Sequence, residues 1–318
     1  MKSFKLLNTI GIAAMTLLMA ASCESGNKEF GYDGETTVYF ANAGYVRTVE
    51  LGEDQEADLT DDNNHIITIK ANCAGGYGNN NDVTVDYISD ASLCDGYKIN
   101  GAAIQVMPSN YYQIENPNQF VIAKGQQLGG VRVKLTDAFF NDDKSYEQGY
   151  VIPVKLTGAK GVDKVLESKN TTFCLVKFVN PWTATYLRKG KDKSNGNEPH
   201  HRAYPYFEKA EVIKVVTKGL NKAQMTVDVK DASGKDHQVN VLMTFNGDDC
   251  TISSGSDGVQ VSGRGKFVKN DQLLGEYKRN TLYLQYNIKS DALGTVETTD
   301  TMVVRNRGIN YLTFTPEK

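Results

Sequence analysis

From Thr36 onward, apolar residues recur at every second position, the spacing of strands with one buried and one wet face. Val83, Val85 and Tyr87 alternate with Thr84 and Asp86, and Val131, Val133 and Leu135 with Arg132 and Lys134. Ile152, Val154 and Leu156 alternate with Pro153 and Lys155; because proline donates nothing to a ladder, Pro153 predicts an edge strand. Gly- and Asn-rich stretches at 75–81, 116–118 and 129–130 supply turns, so the first part reads as an antiparallel sandwich. Asn180-Pro181 interrupts the pattern, dividing a sandwich over 36–180 from a second body over 181–318. Trp182, at that junction, is expected to pack between the two bodies.

In the second body Met225, Val227 and Val229 share one face, as do Val239, Val241, Met243 and Phe245, and then Leu282, Leu284, Tyr286 and Ile288. Short turns at 232–235, 246–248 and 254–258 join neighbouring strands into an up-and-down meander. About eight strands in that order close into a lipocalin-like barrel or stack as a sandwich, and the pattern fits both. Helical periodicity is nearly absent, so the fold class is all-β.

The N-terminus follows a different rule. Lys2 and Lys5 precede an apolar run over 6–21, short of the about 20 residues that span a bilayer, and the run ends in Ala20-Ala21-Ser22-Cys23. That ending resembles a lipobox, with Ala20 where leucine is commoner. It predicts a signal peptide over 1–22, acylation of Cys23, a polar tether over 23–35 and a surface-exposed lipid anchor in the outer membrane. Losing Lys2 and Lys5 takes the formal charge from −3 to −5, with 33 basic against 38 acidic residues, which leaves no footprint for nucleic acid. Cys73, Cys94, Cys174 and Cys250 form no C-x-x-C pair; Cys73 and Cys94 are candidates for a bridge in an oxidising compartment, with buried free thiols the alternative.

No catalytic frame emerges, and no cofactor or metal is expected. The acids at 53–62 lie in a polar context without a desolvating wall and read as a solvated loop. Gly255-Ser256-Asp257-Gly258 lies between strands, unlike a nucleophile elbow, and Gly263-Arg264-Gly265-Lys266 has no following helix to cradle phosphate. His200 and His201 point apart as chain neighbours, without a third ligand. Asn79–Asp82 and 141–143 carry oxygen ligands suited to calcium, but also the ordinary residues of turns. Glycan recognition asks for aromatic faces beside amides and carboxylates; Tyr77, Tyr111, Tyr112, Tyr204 and Tyr206, in polar turn-rich stretches, are the candidates, against the alternative of rings folded onto the core.

The lipidated cysteine, Thr37-Val38-Tyr39-Phe40-Ala41-Asn42 and the junction Phe178-Val179-Asn180-Pro181-Trp182 together resemble Bacteroidetes surface lipoproteins. Their N-terminal Ig-like domain also stands ahead of some endo-β-N-acetylglucosaminidase catalytic domains, and a β-rich partner follows it here, without a catalytic barrel. The resemblance implies an Ig-like sandwich and a glycan-utilisation locus, with a non-enzymatic lipoprotein that binds or presents polysaccharide beside an outer-membrane importer complex. The alternative is a structural or adhesive protein whose β-domains serve as spacers or docking surfaces.

Overall fold

The period-two runs become strands whose inward positions sort into separate cores. The computed structural model describes residues 34–75, 79–194, 200–231 and 233–318; Cys23 and Tyr77 lie outside the described residues. The first body comprises β1 (Thr37–Tyr39), β2 (Gly44–Glu50), β3 (Ile66–Ala74), β4 (Val83–Ile88), β5 (Lys98–Ile99), β6 (Ala102–Ala103), β7 (Tyr112–Ile114), β8 (Gln119–Ile122), β9 (Leu128–Leu135), β10 (Tyr150–Lys160), β11 (Lys164–Val165) and β12 (Thr171–Val179). One sheet runs β11-β1-β3-β9-β7 and the facing sheet β2-β12-β10-β4-β8. Val38, Ile69, Val85, Val133, Ile152 and Phe178 meet between them. The chain crosses from one sheet to the other at buried Phe40, after which β2 runs parallel to β12, an Ig-like arrangement.

Pro153 occupies an interior strand instead of the expected edge. β10 lies between β12 and β4, but β4 pairs only from Lys155 onward. The missing N–H of Pro153 therefore faces a gap where β4 has ended, and Ser89 Oγ donates to the Pro153 carbonyl at 2.8 Å.

The second body comprises β13 (Ala184–Ser194), β14 (His200–Arg202), β15 (Glu211–Gly219), β16 (Lys222–Lys230), β17 (Asp236–Asn246), β18 (Asp249–Ser254), β19 (Gln260–Leu274), β20 (Tyr277–Ser290) and β21 (Gly294–Asn306), and β22 (Leu312–Thr313) follows. β13 and β15 to β21 pair in order, all antiparallel, and β21 returns to β13, closing an eight-strand barrel. Between barrel and sandwich, the two architectures that the pattern fitted, closure decides for the barrel. Tyr186, Val215, Met225, Val241, Leu284 and Ile288 point inward and are almost wholly buried, so side chains fill the barrel and leave no cup.

Trp182 does not pack between the bodies. Its ring stacks on Phe245, centroids 3.8 Å apart and planes 7° off parallel, as part of the barrel's own core. The junction is made by backbone and polar groups. Buried Asn180 donates through Nδ2 to the carbonyls of Gly219 and Lys222, at 3.0 and 2.6 Å. Arg307, just past β21, donates to the carbonyls of Leu51, Asn180 and Pro181 at 3.0 to 3.1 Å, joining sandwich, linker and barrel. Of the acids at 53–62, Glu53, Glu56, Asp58 and Asp61 are exposed, as a solvated loop requires, yet Glu53 and Glu56 also pair with Lys269 and Arg279 of the barrel at 2.7 and 3.3 Å. Asp62 is the exception, buried against Arg47.

Beyond Arg307 the chain returns to the sandwich. β22 adds to β2, Asn42 donates to the Tyr311 hydroxyl at 2.8 Å, and Glu317 exchanges backbone hydrogen bonds with Lys98. Phe314 joins Cys94, Val151 and Phe173 in a small satellite core on the outer face of the sheet. It lies over Gly44, where a Cβ would come within 2.4 Å of its ring.

Two predictions follow from this packing. Phe314→Ala will lower unfolding free energy by about 1–3 kcal/mol in urea titration, less than the ~3–5 of a fully buried phenylalanine because the ring is half exposed. Cys73, Cys94, Cys174 and Cys250 are free thiols, and burial pushes Cys94 up to about 11 and both Cys174 and Cys250 up to about 12. An aromatic disulfide reagent at neutral pH will therefore label half-buried Cys73 first and the others only on unfolding. A Cys73–Cys94 crosslinked peptide after non-reducing digestion would contradict this.

Candidate functional site

The barrel seam is held by buried charge. Asp300 of β21 lies wholly out of solvent between two guanidinium groups: Arg188 Nε of β13 is 3.0 Å away, and Arg202 of β14 contacts its other oxygen. The Tyr286 hydroxyl accepts from Arg188 at 3.2 Å and donates to Asp300 at 3.0 Å, while Glu211 lies 3.2 Å from Arg188. Arg202 also pairs with Asp192, which accepts from Thr298 at 2.8 Å. Burial disfavours the charge on Arg188, but Tyr286, Asp300 and Glu211 more than offset this and keep it protonated. Burial, with the Asp300 charge, raises the Tyr286 phenol, so it remains a donor. Glycines make the room. A Cβ on Gly190 would fall 2.5 Å from Asp300 Oδ1, and one on Gly263 2.5 Å from Tyr286 Cβ, so the glycines of Gly263-Arg264-Gly265-Lys266 serve close strand packing.

The same pairing fixes the outside of the barrel, since residues directly opposite one another share a face. One outward row runs Lys191, Thr299, Gln285, Arg264 and Thr251 across β13, β21, β20, β19 and β18. Beside it run Lys189, Thr301, Tyr283, Lys266 and Asp249, and on its other side Lys193, Glu297, Asn287, Ser262 and Ser253. The middle strands thus carry hydroxyls, amides, one tyrosine and the Glu297 carboxylate, and basic residues stand on the strands that flank them. Two adjoining hollows of about 440 and 480 Å³ lie on this face and share Arg264, Gln285 and Thr299.

A folded-back arm bounds the face. β19 bulges between Val268 and Gln272, with Asn270 at φ 48°, and the hairpin beyond turns back over the outside of the barrel. Its Asp271 accepts from the Tyr283 hydroxyl at 2.5 Å, Gln272 donates to that hydroxyl at 2.8 Å, and the Gly275 N–H reaches Glu208 at 3.3 Å. Outward-facing Leu187, Thr281 and Val303 are buried, as the cover of this arm requires. Tyr283 is thereby held with its hydroxyl engaged, and its ring lines the larger-mouthed hollow.

Among the described residues, the tyrosines expected from sequence fall into two groups, Tyr111 and Tyr112 on the sandwich and Tyr204 and Tyr206 on the barrel. Tyr111 packs edge-on to Phe139 and Tyr150 and donates to Asp142 at 3.0 Å, while Tyr112 is half-buried against the sandwich core. Tyr204 is half-buried and Tyr206 is 65% exposed, both on the barrel. Phe207, next to Tyr206, lies 4.0 Å from Lys189 Nζ, which brings that segment to the margin of the outward face. His201 pairs across from Lys191 and His200 from Asp192, so the two histidines face opposite ways. The Asn and Asp clusters hold turns: Asn79 donates to the Ala123 carbonyl at 2.9 Å, and Asp142 receives the Tyr111 and Tyr150 hydroxyls. Tyr283, Gln285 and Thr299 escaped the sequence search because they alternate with buried residues inside strands, and Arg264 was weighed only for phosphate. Only the partner strand reveals what lies beside each.

Residues 32–163 match a family model described as a "-like, N-terminal domain", and residues 181–308 match a domain of unknown function, DUF5627. No curated protein matches the chain. A crystal structure of unknown function from Bacteroides ovatus is 36% identical, with 91% of this chain and 99% of that one covered and a TM-score of 0.81. A second Bacteroides ovatus protein of unknown function is 11% identical over 87% of this chain and 92% of that one, with a TM-score of 0.40. A two-domain protein from Bacteroides fragilis is 12% identical over 88% and 92%, with a TM-score of 0.29.

The seam and the outward face should respond differently to substitution. Asp300→Ala, which strands two buried guanidinium groups, will destabilise the protein by about 3–5 kcal/mol in urea, whereas Arg264→Gln on the exposed face will shift stability by less than about 0.5 kcal/mol.

Proposed function

The chain belongs to the two-domain family of that Bacteroides ovatus protein, and on this premise we propose that it is a non-enzymatic glycan-binding lipoprotein of the cell envelope. Acylated Cys23 anchors it to the outer membrane, facing outward, as part of a polysaccharide-utilisation system that feeds an importer. The observation that carries the binding reading is the outward barrel face, where Tyr283, Gln285, Thr299, Thr301 and Asn287 stand side by side over two joined hollows. Sugar hydroxyls both donate and accept, which is what amides and threonines offer, and a ring held by two hydrogen bonds presents a stacking surface at little entropic cost.

The alternative, a spacer or adhesive module, draws support from the junction, where Arg307 and the returning tail fasten barrel to sandwich.

In affinity electrophoresis, a soluble form beginning at Gly26 will be retarded by at least one polysaccharide of a broad neutral and acidic panel. Gln285→Ala will weaken that retardation about tenfold, in line with the loss of one or two buried hydrogen bonds. A panel without any retardation favours the spacer. Separately, Cys23→Ala will move the protein from the membrane fraction of its native host to the soluble fraction, and mass spectrometry of the wild type will find an acylated N-terminal cysteine.

A further inference from the structure

Among the described residues, the side chains of Arg264, Lys266, Lys191 and Lys193 make no hydrogen bond or ion pair, and that of Lys189 meets only the ring of Phe207. Elsewhere in the barrel Arg188, Arg202, Lys230, Lys269 and Arg279 each have a carboxylate, whereas Lys214, Lys218, Lys278 and Lys289 have none among the described residues. The unpaired cations also occupy defined places. Lys191 and Arg264 flank Thr299 and Gln285 in one row, which continues to Thr251, and Lys189 and Lys266 flank Thr301 and Tyr283 in the next, which continues to Asp249. Three interstrand steps of about 4.8 Å put roughly 14 Å between the banks. Opposing acids on this face are few: Glu297 stands between Lys193 and Asn287, Asp249 lies beyond Lys266, and Asp271 is engaged by Tyr283. The chain as a whole is acidic, at −3 before any processing, but residues 181–318 hold 20 basic against 16 acidic residues, so the body that carries this strip is net basic.

We infer that the ligand of this face is an acidic polysaccharide, bearing carboxylates or sulfates along its length, which lies over Thr299, Gln285 and Tyr283 with its anionic groups against Arg264 and Lys266 on one bank and Lys189, Lys191 and Lys193 on the other. This rests on the glycan reading above and narrows it. The neutral groups in the middle meet sugar hydroxyls, and the cations at the edges meet the charges. A neutral polymer would leave the charged banks without partners, whereas an acidic one completes them with charge-assisted hydrogen bonds. Arg264 offers a planar fork suited to a carboxylate or sulfate.

The test is affinity electrophoresis of the soluble form in matched gels: polygalacturonate, hyaluronan and chondroitin sulfate, each against its carboxyl-reduced or desulfated counterpart, with single-stranded DNA as a polyanion lacking the sugar hydroxyl pattern. At least one acidic polymer is expected to retard the protein about tenfold or more strongly than its neutralised form, and the effect should fall as salt is raised. The double variant Arg264→Gln, Lys191→Gln should lose that retardation while keeping the wild-type melting temperature, and Lys124→Gln, on the sandwich, should keep it. Equal retardation by neutralised forms overturns the charge inference and leaves glycan binding standing. No retardation by any acidic polymer overturns it too, and the neutral panel then decides the broader reading by itself. Equal retardation by DNA, insensitive to Gln285→Ala, shows a non-specific polyanion surface and overturns it as well.

Discussion

Asp300 sits where the first and last strands of the barrel meet, and both its oxygens are occupied by guanidinium groups from the opposing side. A barrel has no free edge only if its terminal strands find one register, and apolar contacts by themselves tolerate a slip poorly but do not forbid it. A buried carboxylate between Arg188 and Arg202 does, because any shift strands three charges away from water. Gly190 and Gly263 clear the space that this arrangement needs, so the least apolar part of the interior is also the most sharply specified.

That register fixes the outer face. Lys191 stands opposite Thr299, and Gln285 opposite Arg264, only because the inward partners Arg188, Asp300 and Tyr286 are locked beneath them. The site proposed for ligand is thus the reverse side of the structural seam. The hairpin arm adds a wall by bending at Asn270, and the Tyr283 hydroxyl ties arm to floor. The proposed site lies outside the barrel, whose interior is filled by side chains.

The bodies are fastened more firmly than a linker of two or three residues would suggest. Arg307 donates to carbonyls on both sides of the junction, Asn180 clamps the turn between β15 and β16, and the last residues form an added strand on β2. Residues 312–317, which follow the barrel in sequence, belong spatially to the sandwich. A chain fastened this way holds the outer face of its barrel at a fixed orientation to the sandwich that precedes it.

Alternation along the chain determined the strands, the all-β class and the division near Asn180-Pro181, because burial of one face writes a period of two into any half-wet strand. It could not determine which strands pair. Pro153 was misplaced at an edge because its tolerance depends on where β4 stops, and Trp182 was misplaced between the bodies because Phe245, distant in sequence, offers it a stacking surface. The acids at 53 and 56 are exposed, as their polar context implies, but their basic partners lie more than two hundred residues away and left no sign in it. Of the tyrosines conspicuous in polar stretches, Tyr111 and Tyr112 pack against the sandwich core, while Tyr204 and Tyr206 stand on the barrel. The sequence by itself carried the residue types of the outer face; only closure of the barrel decided that they stand together, since neighbourhood across strands is a property of register and leaves no mark on any one strand.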